Sequence, residues 1–254
     1  MASVRALAGR SSRQRHGRFL VEGPQAVREA VLFAASRLRD LYVTRAALER
    51  YPEIVDAARA ADRFVHPVTD EVMARLSGDA QGIIAVVDAA EHSLDDVVSR
   101  APRLVAVCAQ IRDPGNAGTV IRAADAAGAD AVVLTTGSVE ATSPKVVRSS
   151  AGSLFHLPVV TGVTLQEAVA ALRSAHLAVL AADASGTTDV ETAPLAAPSA
   201  WVFGTEAQGL TADELALADA VVRVPLRGHA ESLNVAMAAT VCLYASSRAQ
   251  HVPG

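Results

Sequence analysis

The sequence predicts an α/β protein: a parallel sheet covered by helices over the C-terminal part of the chain, preceded by a smaller α/β unit. Three observations lead there. From residue 104 onward, short apolar runs alternate with segments of helical period, as strands buried on both faces do. A polar stretch at 92–101, closed by Pro102, separates this region from what precedes it. With 254 residues, 51% of them hydrophobic and 20% charged, the chain can bury a substantial core in one large domain or two smaller ones.

In the first part the pattern predicts extended chain at 19–22, 38–44, 63–67 and 83–88, with helices at 25–35, 52–61 and 70–76. Thr69 and Asp70 supply cap chemistry for the last of these helices. In the second part the strand candidates are 104–109, 131–135, 155–160, 177–182, 200–204 and 221–224. Between them, 119–127 reads as a helix stopped by Gly128, 165–175 has helical periodicity, and Thr211 to Glu214 form a capping box. A final helix is expected over 232–247. The domains are drawn at 1–95 and 102–254. Ordinary topology rules make the second an open, doubly wound sheet without a knot.

The net charge of −4 gives no bulk case for a nucleic-acid partner, so any such surface must be local. The first twenty residues hold Arg5, Arg10, Arg13, Arg15, Arg18 and His16 with no acid, an arm available to phosphate. Residues 101–254 carry 9 basic and 13 acidic side chains. Lys145 is the one lysine, so a coding preference for arginine accounts for much of the basic count. Cys108 and Cys242 lie in apolar runs, which suits buried thiols in a reducing compartment and neither a disulfide framework nor a zinc site. No run approaches a membrane span, and the Arg-rich start lacks the apolar core of a signal peptide. It could imitate an organellar transit peptide, but Phe19-Leu20-Val21-Glu22-Gly23-Pro24 follows at once and reads as folded chain, so the expected location is the cytoplasm.

Chemistry is concentrated in three loops that follow apolar runs: Asp113-Pro114-Gly115-Asn116-Ala117-Gly118 with Arg122, Phe203-Gly204-Thr205-Glu206-Ala207-Gln208-Gly209-Leu210, and Val224-Pro225-Leu226-Arg227-Gly228 running into Ser232-Leu233-Asn234. Gly204 is either a plain turn glycine or a place where a Cβ would block close approach to the backbone. Arg122 is either a surface helix arginine or, beside a helix start, one wall of a phosphate-binding corner. Ser232 reads as the N-cap of the final helix and Asn234 as a first-turn residue that capping explains less well. His156, His176 and His229 have no nucleophile in motif context, so triad chemistry is not indicated. No Gly-x-Gly-x-x-Gly follows the first strand of the second part, which disfavours a dinucleotide-dependent dehydrogenase.

Taken together, the three loops resemble the motifs of the SpoU (TrmH) family of RNA ribose 2′-O-methyltransferases, in the family's order and near its spacing. The resemblance implies a deep trefoil knot of the SPOUT type, S-adenosylmethionine as methyl donor, no metal, and a homodimer that brings the motif loops together near its interface. It implies catalytic roles for Asn116, Arg122, Glu206, Ser232 and Asn234, and cofactor contacts from Gly204, Val224, Leu226 and Leu233. In the family the arginine matching Arg122 has been proposed as a general base; a guanidinium pKa above about 12 favours a grip on phosphate instead. Glu206 either steadies Arg122 or accepts bonds from the knotted backbone. The block "RFLVEGPQAVREAV" is similar to the small N-terminal RNA-binding domain of two-domain members. That layout favours ribosomal RNA over tRNA, the alternatives being a tRNA enzyme or an inactive RNA-binding protein of the same fold. Lys145, Arg148, Ser149 and Ser150 resemble a substrate-facing stretch, with solvated helix charge as the other reading. Thr205, Ala207 and Ala236 depart from the family's usual asparagine or serine, glycine and serine.

Overall fold

The computed structural model describes residues 2–205 and 208–251, which pack as two units. The first comprises the residues up to Ala90 together with Thr142–His156; the second comprises Glu91–Ala141 and the residues from Leu157 onward.

In the first unit the order is α1 (Ala2–Ala6), α2 (Arg10–His16), β1 (Arg18–Glu22), α3 (Pro24–Phe33), β2 (Leu38–Thr44), α4 (Arg45–Arg50), α5 (Pro52–Ala60), β3 (Phe64–Val68), α6 (Asp70–Leu76) and β4 (Ile83–Asp88). The strands form one sheet in the order β1-β4-β2-β3, with β4 antiparallel to both neighbours and β3 parallel to β2. Side chains alternate between its faces. Phe19, Val21, Leu41, Val43, Ala85 and Val87 pack with α3 and α5 on one side. Leu20, Ile84 and Val86 lie on the other, with Val4 of α1, Leu7 just after it, and Met73 and Leu76 of α6.

The basic start differs from the expected arm. Val4 and Leu7, three residues apart, are buried, and Arg13 is only 6% exposed, its Nη1 donating to the carbonyls of Leu7 at 3.1 Å and Ala8 at 2.7 Å. An apolar stripe hidden among arginines therefore folds this segment, and Arg5, Arg10, Arg15 and Arg18 are the members left exposed.

The second unit contains α7 (Leu94–Val98), β5 (Leu104–Cys108), α8 (Pro114–Ala126) and β6 (Ala131–Leu134). The chain then forms α9 (Pro144–Ser149) within the first unit. It returns for β7 (Val159–Thr161), α10 (Leu165–Ser174), β8 (Ala178–Ala182), β9 (Thr188–Asp189), β10 (Ser199–Phe203), α11 (Ala212–Leu215), β11 (Ala220–Arg223) and α12 (Val235–Gln250). The sheet runs β7-β6-β5-β10-β8-β11-β9, and every neighbouring pair is parallel. Parallel strands buried on both faces need near-continuous apolar sequence, and β5, β6 and β10 are buried at every position.

The helix expected at 119–127 begins five residues earlier, at Pro114, and two further predicted elements shift. The strand expected at 155–160 is a 3₁₀ turn at Ser153–Phe155 followed by the shorter β7, because Phe155 belongs to the first unit's core and Pro158 has no amide to donate. The surrounding segment, assigned by sequence to the second domain, is tied to the first unit by Val147 and by Arg148, whose Nη1 reaches Glu22 at 2.5 Å and Asp79 at 3.2 Å. Arg148 is thus a bridge rather than a free helix charge. The final helix begins at Val235, three residues later than expected.

Candidate active site

Strands β10, β8 and β11 are adjacent, so the loops leaving their C-terminal ends are brought side by side, the usual ligand edge of a parallel sheet. Asp183 and Ala184 follow β8, Gly204 and Thr205 follow β10, and Val224 and Leu226 follow β11; with Ser232, Leu233, Val235 and Ala238 from the approach to α12, they line one open pocket of about 320 Å³. Gly204, Val224, Leu226 and Leu233, the expected cofactor contacts, all line it, as does Ser232.

The loop after β10 doubles back on itself. Thr205 and Gly209 exchange two main-chain hydrogen bonds, at 3.1 and 3.0 Å, and Gly209 has a φ of +64°. A Cβ on Gly204 would stand 2.3 Å from the Gly209 carbonyl carbon and 2.6 Å from the Leu210 nitrogen. The demand for glycine at 204 therefore comes first from the returning backbone of its own loop. Glu206 and Ala207 lie outside the described residues.

At the start of α12 the roles of two residues exchange relative to the sequence reading. Asn234 is the N-cap, its Oδ1 accepting from the amides of Ala236 at 2.9 Å and Met237 at 3.4 Å. Ser232 precedes the cap and is exposed at the pocket. The Asn234 Nδ2 donates to Asn116 Oδ1 at 3.0 Å, which ties the third motif to the first. Asn116 sits in the first turn of α8, where Asp113 caps its amide at 2.8 Å and Pro114 takes the first helical position.

Arg122 is exposed on α8 and is not among the pocket residues. Six residues at about 100° each put it on a different face of the helix from Asn116. It lies instead with Thr119 and Ala126 on the outward stripe. The five expected catalytic residues thus divide: Asn116 and Asn234 are in contact, Ser232 is at the pocket, Arg122 faces outward, and Glu206 is not described.

Asp183 is a pocket residue the sequence did not single out. Its Oδ1 accepts from Ser185 N at 2.9 Å and Ser185 Oγ at 2.7 Å. A carboxylate directly after an apolar run was the available signal, and without a strand order nothing put it beside Gly204. On the inner side of α12, burial pushes the Cys242 thiol up to about 12, so it stays protonated and unreactive. Among the described residues no group of three or more His, Cys, Asp or Glu side chains could hold a metal ion, and no helix is long and apolar enough to cross a membrane.

Comparison with known proteins bears on this geometry. Residues 103–244 match the model of the SpoU rRNA Methylase family, and residues 2–85 match that of the MRM3-like substrate binding domain. The 23S rRNA (guanosine-2′-O-)-methyltransferase RlmB of Bordetella pertussis is 31% identical over 262 residues, covering 98% of both chains. The 23S rRNA (uridine(2479)-2′-O)-methyltransferase of Streptomyces viridochromogenes is 32% identical over 98% of this chain and 88% of its own. Among solved structures, the SpoU methyltransferase AviRb from Streptomyces viridochromogenes, in complex with the cofactor AdoMet, superimposes with a TM-score of 0.84 at 31% identity, over 97% of this chain and 96% of that one. The AdoMet-bound rRNA methyltransferase from Sinorhizobium meliloti gives 0.84 at 26% identity, over 97% and 93%. With the family model spanning more than half the chain and the all-parallel sheet matching those structures, the protein belongs to the SpoU rRNA methylase family and carries its knotted α/β fold.

Proposed function

We propose that the pocket binds S-adenosylmethionine and that the protein, as a cytoplasmic homodimer, methylates a ribose 2′-hydroxyl in ribosomal RNA. The observation that carries this reading is the convergence of the second and third motifs on one pocket, with the Asn116–Asn234 hydrogen bond linking the first motif to it.

The residues present suit that cofactor. A cavity of about 320 Å³ falls within the usual range for small-molecule sites, roughly 300–1,000 Å³. Val222, Val224, Leu226, Leu233 and Ala238 give apolar walls for a flat base. The main chain leaving β10 and β11 offers amides and carbonyls for its edge, and Asp183 offers an acceptor for ribose hydroxyls. When bound, S-adenosylmethionine would supply the methyl group of its sulfonium to the ribose oxygen, the S–C bond breaking to leave S-adenosylhomocysteine as that oxygen gives up its proton to solvent or a neighbouring acceptor.

The chain's own work is placement. Asn116 and Asn234 hold each other rigidly and fix the wall against which the sugar is set. Arg122 grips a substrate phosphate and sets the direction of the hydroxyl. Ser232 offers a hydroxyl at the mouth. The 1–95 domain selects the RNA, in keeping with its match to a substrate-binding family, and the 102–254 domain carries out transfer. Support for ribosomal over transfer RNA comes from relatives named as 23S rRNA methyltransferases that align along 98% of this chain.

The test is transfer of labelled methyl from S-adenosylmethionine to ribosomal RNA and to tRNA, with calorimetry against S-adenosylhomocysteine. Incorporation into ribosomal RNA is expected, reduced at least a hundredfold in Arg122→Ala with binding of S-adenosylhomocysteine retained. RNA binding without transfer to any RNA would overturn the enzyme reading, and labelling of tRNA alone would overturn the substrate.

A further inference from the structure

Leu20, Ile84 and Val86 on one face of the first unit's sheet cluster with α1 and α6, but toward the β2–β3 side of that face the same cross-strand rows carry polar and aromatic side chains that remain partly open. Three rings lie there in a row. Tyr42 and His66, opposite one another in the β2–β3 register, stack with centroids 4.9 Å apart and planes 21° apart. Phe64 continues the row from His66 at 6.4 Å and 24°. His66 is held by Asp40, at 2.8 Å from Nε2 to Oδ1, and Tyr42 packs against the covered core. Phe64, outermost and on the edge strand, is 72% exposed.

The Phe64 end of these strands is rich in guanidiniums. Arg18 and Arg39 share the single carboxylate of Asp88, at 3.0 and 2.5 Å, and both remain about half exposed. Arg37 reaches the Asp88 carbonyl at 3.5 Å. Arg18 is paired in register with Asp88, and Asp40 with Phe64, so the arginines and the rings lie at one end of neighbouring strands. From β1 to β3 is three inter-strand steps, a span of roughly 14 Å.

A single exposed phenylalanine is ordinary. A rigid row of near-parallel rings beside an excess of guanidiniums has the two components that unpaired nucleic acid requires: faces on which bases stack and cations that track phosphate. We propose that this open end of the sheet is a stacking platform for unpaired bases of the RNA substrate, with Phe64 and His66 as the stacking surface and Arg18 and Arg39 on the adjoining phosphates. This deepens the RNA reading above and rests on it. A duplex, whose bases are already stacked, does not use the platform. Phe64 is therefore a determinant of binding to unpaired segments and has no part in cofactor binding.

The chain's one tryptophan, Trp201, is fully buried in the second unit, so Phe64→Trp places a local reporter on the platform. Full-length Phe64→Trp is titrated with a short single-stranded RNA and with a stable duplex of the same sequence, while anisotropy compares wild type, Phe64→Ala and Phe64→Tyr. Expected are quenching by the single strand and not the duplex, and roughly tenfold or greater weakening of single-strand binding in Phe64→Ala. Phe64→Tyr should restore binding, and S-adenosylhomocysteine affinity should be unchanged throughout. Equal affinity of wild type and Phe64→Ala in an enzyme that still transfers methyl overturns the platform alone. Emission that shifts with protein concentration, without RNA, overturns it in favour of contact between copies. A wild type that binds no RNA and transfers no methyl removes the RNA reading and this inference with it.

Discussion

Asn234 carries two obligations, as N-cap of α12 and as partner of Asn116, whereas Ser232 carries no cap. Asn234→Ala therefore removes a cap worth about 1 kcal/mol and the hydrogen bond to Asn116 Oδ1, while Ser232→Ala leaves stability nearly unchanged. Urea unfolding of the two variants separates them; equal destabilisation would return the cap to Ser232. The sequence exposed both residues as polar side chains near a helix start, but the choice between them depends on where the backbone turns, and a three-residue shift lies below what periodicity resolves. Gly204 was legible as a glycine with a purpose, and its purpose is closer to home than a ligand. A methyl group there strikes the Gly209 carbonyl and the Leu210 amide, so Gly204→Ala should displace the loop that lines the pocket. The expected result is loss of S-adenosylhomocysteine binding by calorimetry, with the far-UV circular dichroism of the sheet retained. Undiminished binding would mean that the loop relaxes without cost.

Elements with local chemistry were the legible ones. The capping box of α11 is complete, Thr211 receiving the Glu214 amide and Glu214 the Thr211 amide, because every group involved lies within four residues. The α10 start repeats the device with Thr164 and Glu167. Elements decided by distant partners were not legible: α1 joins the cluster of Leu20 and Ile84 through Val4, and the 155–160 run is divided between two cores, Phe155 in one and Val160 in the other. Asp219 is such a long-range tie. It accepts from Val179 N at 2.7 Å and from Arg173 at 2.6 Å, joining the ends of α10, β8 and β11. Burial raises its pKa, but the Val179 amide and the Arg173 guanidinium together outweigh that and leave it below the ordinary aspartate value. The folded state then binds this proton less tightly than the unfolded state. The stabilisation is complete above the unfolded pKa of about 3.9 and is lost as pH falls through the lower folded value. Thermal unfolding should show wild type above Asp219→Asn at neutral pH, the gap closing in acid. A gap independent of pH would remove the carboxylate as its source.

At the scale of the molecule, strand identity was readable and strand order was not. The alternation of apolar runs announces a parallel sheet, but nothing local places β10 between β5 and β8, and that placement is what brings Asp183, Gly204 and Val224 to one edge. The knot is likewise a property of the path and came only through resemblance. The homodimer proposed above would use the outward faces of two helices. Met237, Val241 and Tyr244 form an apolar stripe on α12 at 59%, 40% and 49% exposure. It adjoins the outward stripe of α8, since Tyr244 Oη donates to the Ala126 carbonyl at 3.3 Å, and Arg122 lies one turn before Ala126 on that stripe. A second copy covering this surface would bury the apolar stripe and bring Arg122, which faces away from Asn116 in its own chain, against the neighbouring chain. One chain already supplies the lining from Asp183, Gly204, Val224 and Leu233. Val241→Glu should therefore yield a monomer by sedimentation equilibrium that binds S-adenosylhomocysteine within about threefold of wild type yet loses methyl transfer by at least tenfold. That split, with cofactor affinity kept and transfer lost, is not produced by misfolding, which removes both. A Val241→Glu protein that stays dimeric would move the interface elsewhere, and a fully active monomer would mean that Arg122 acts within its own chain.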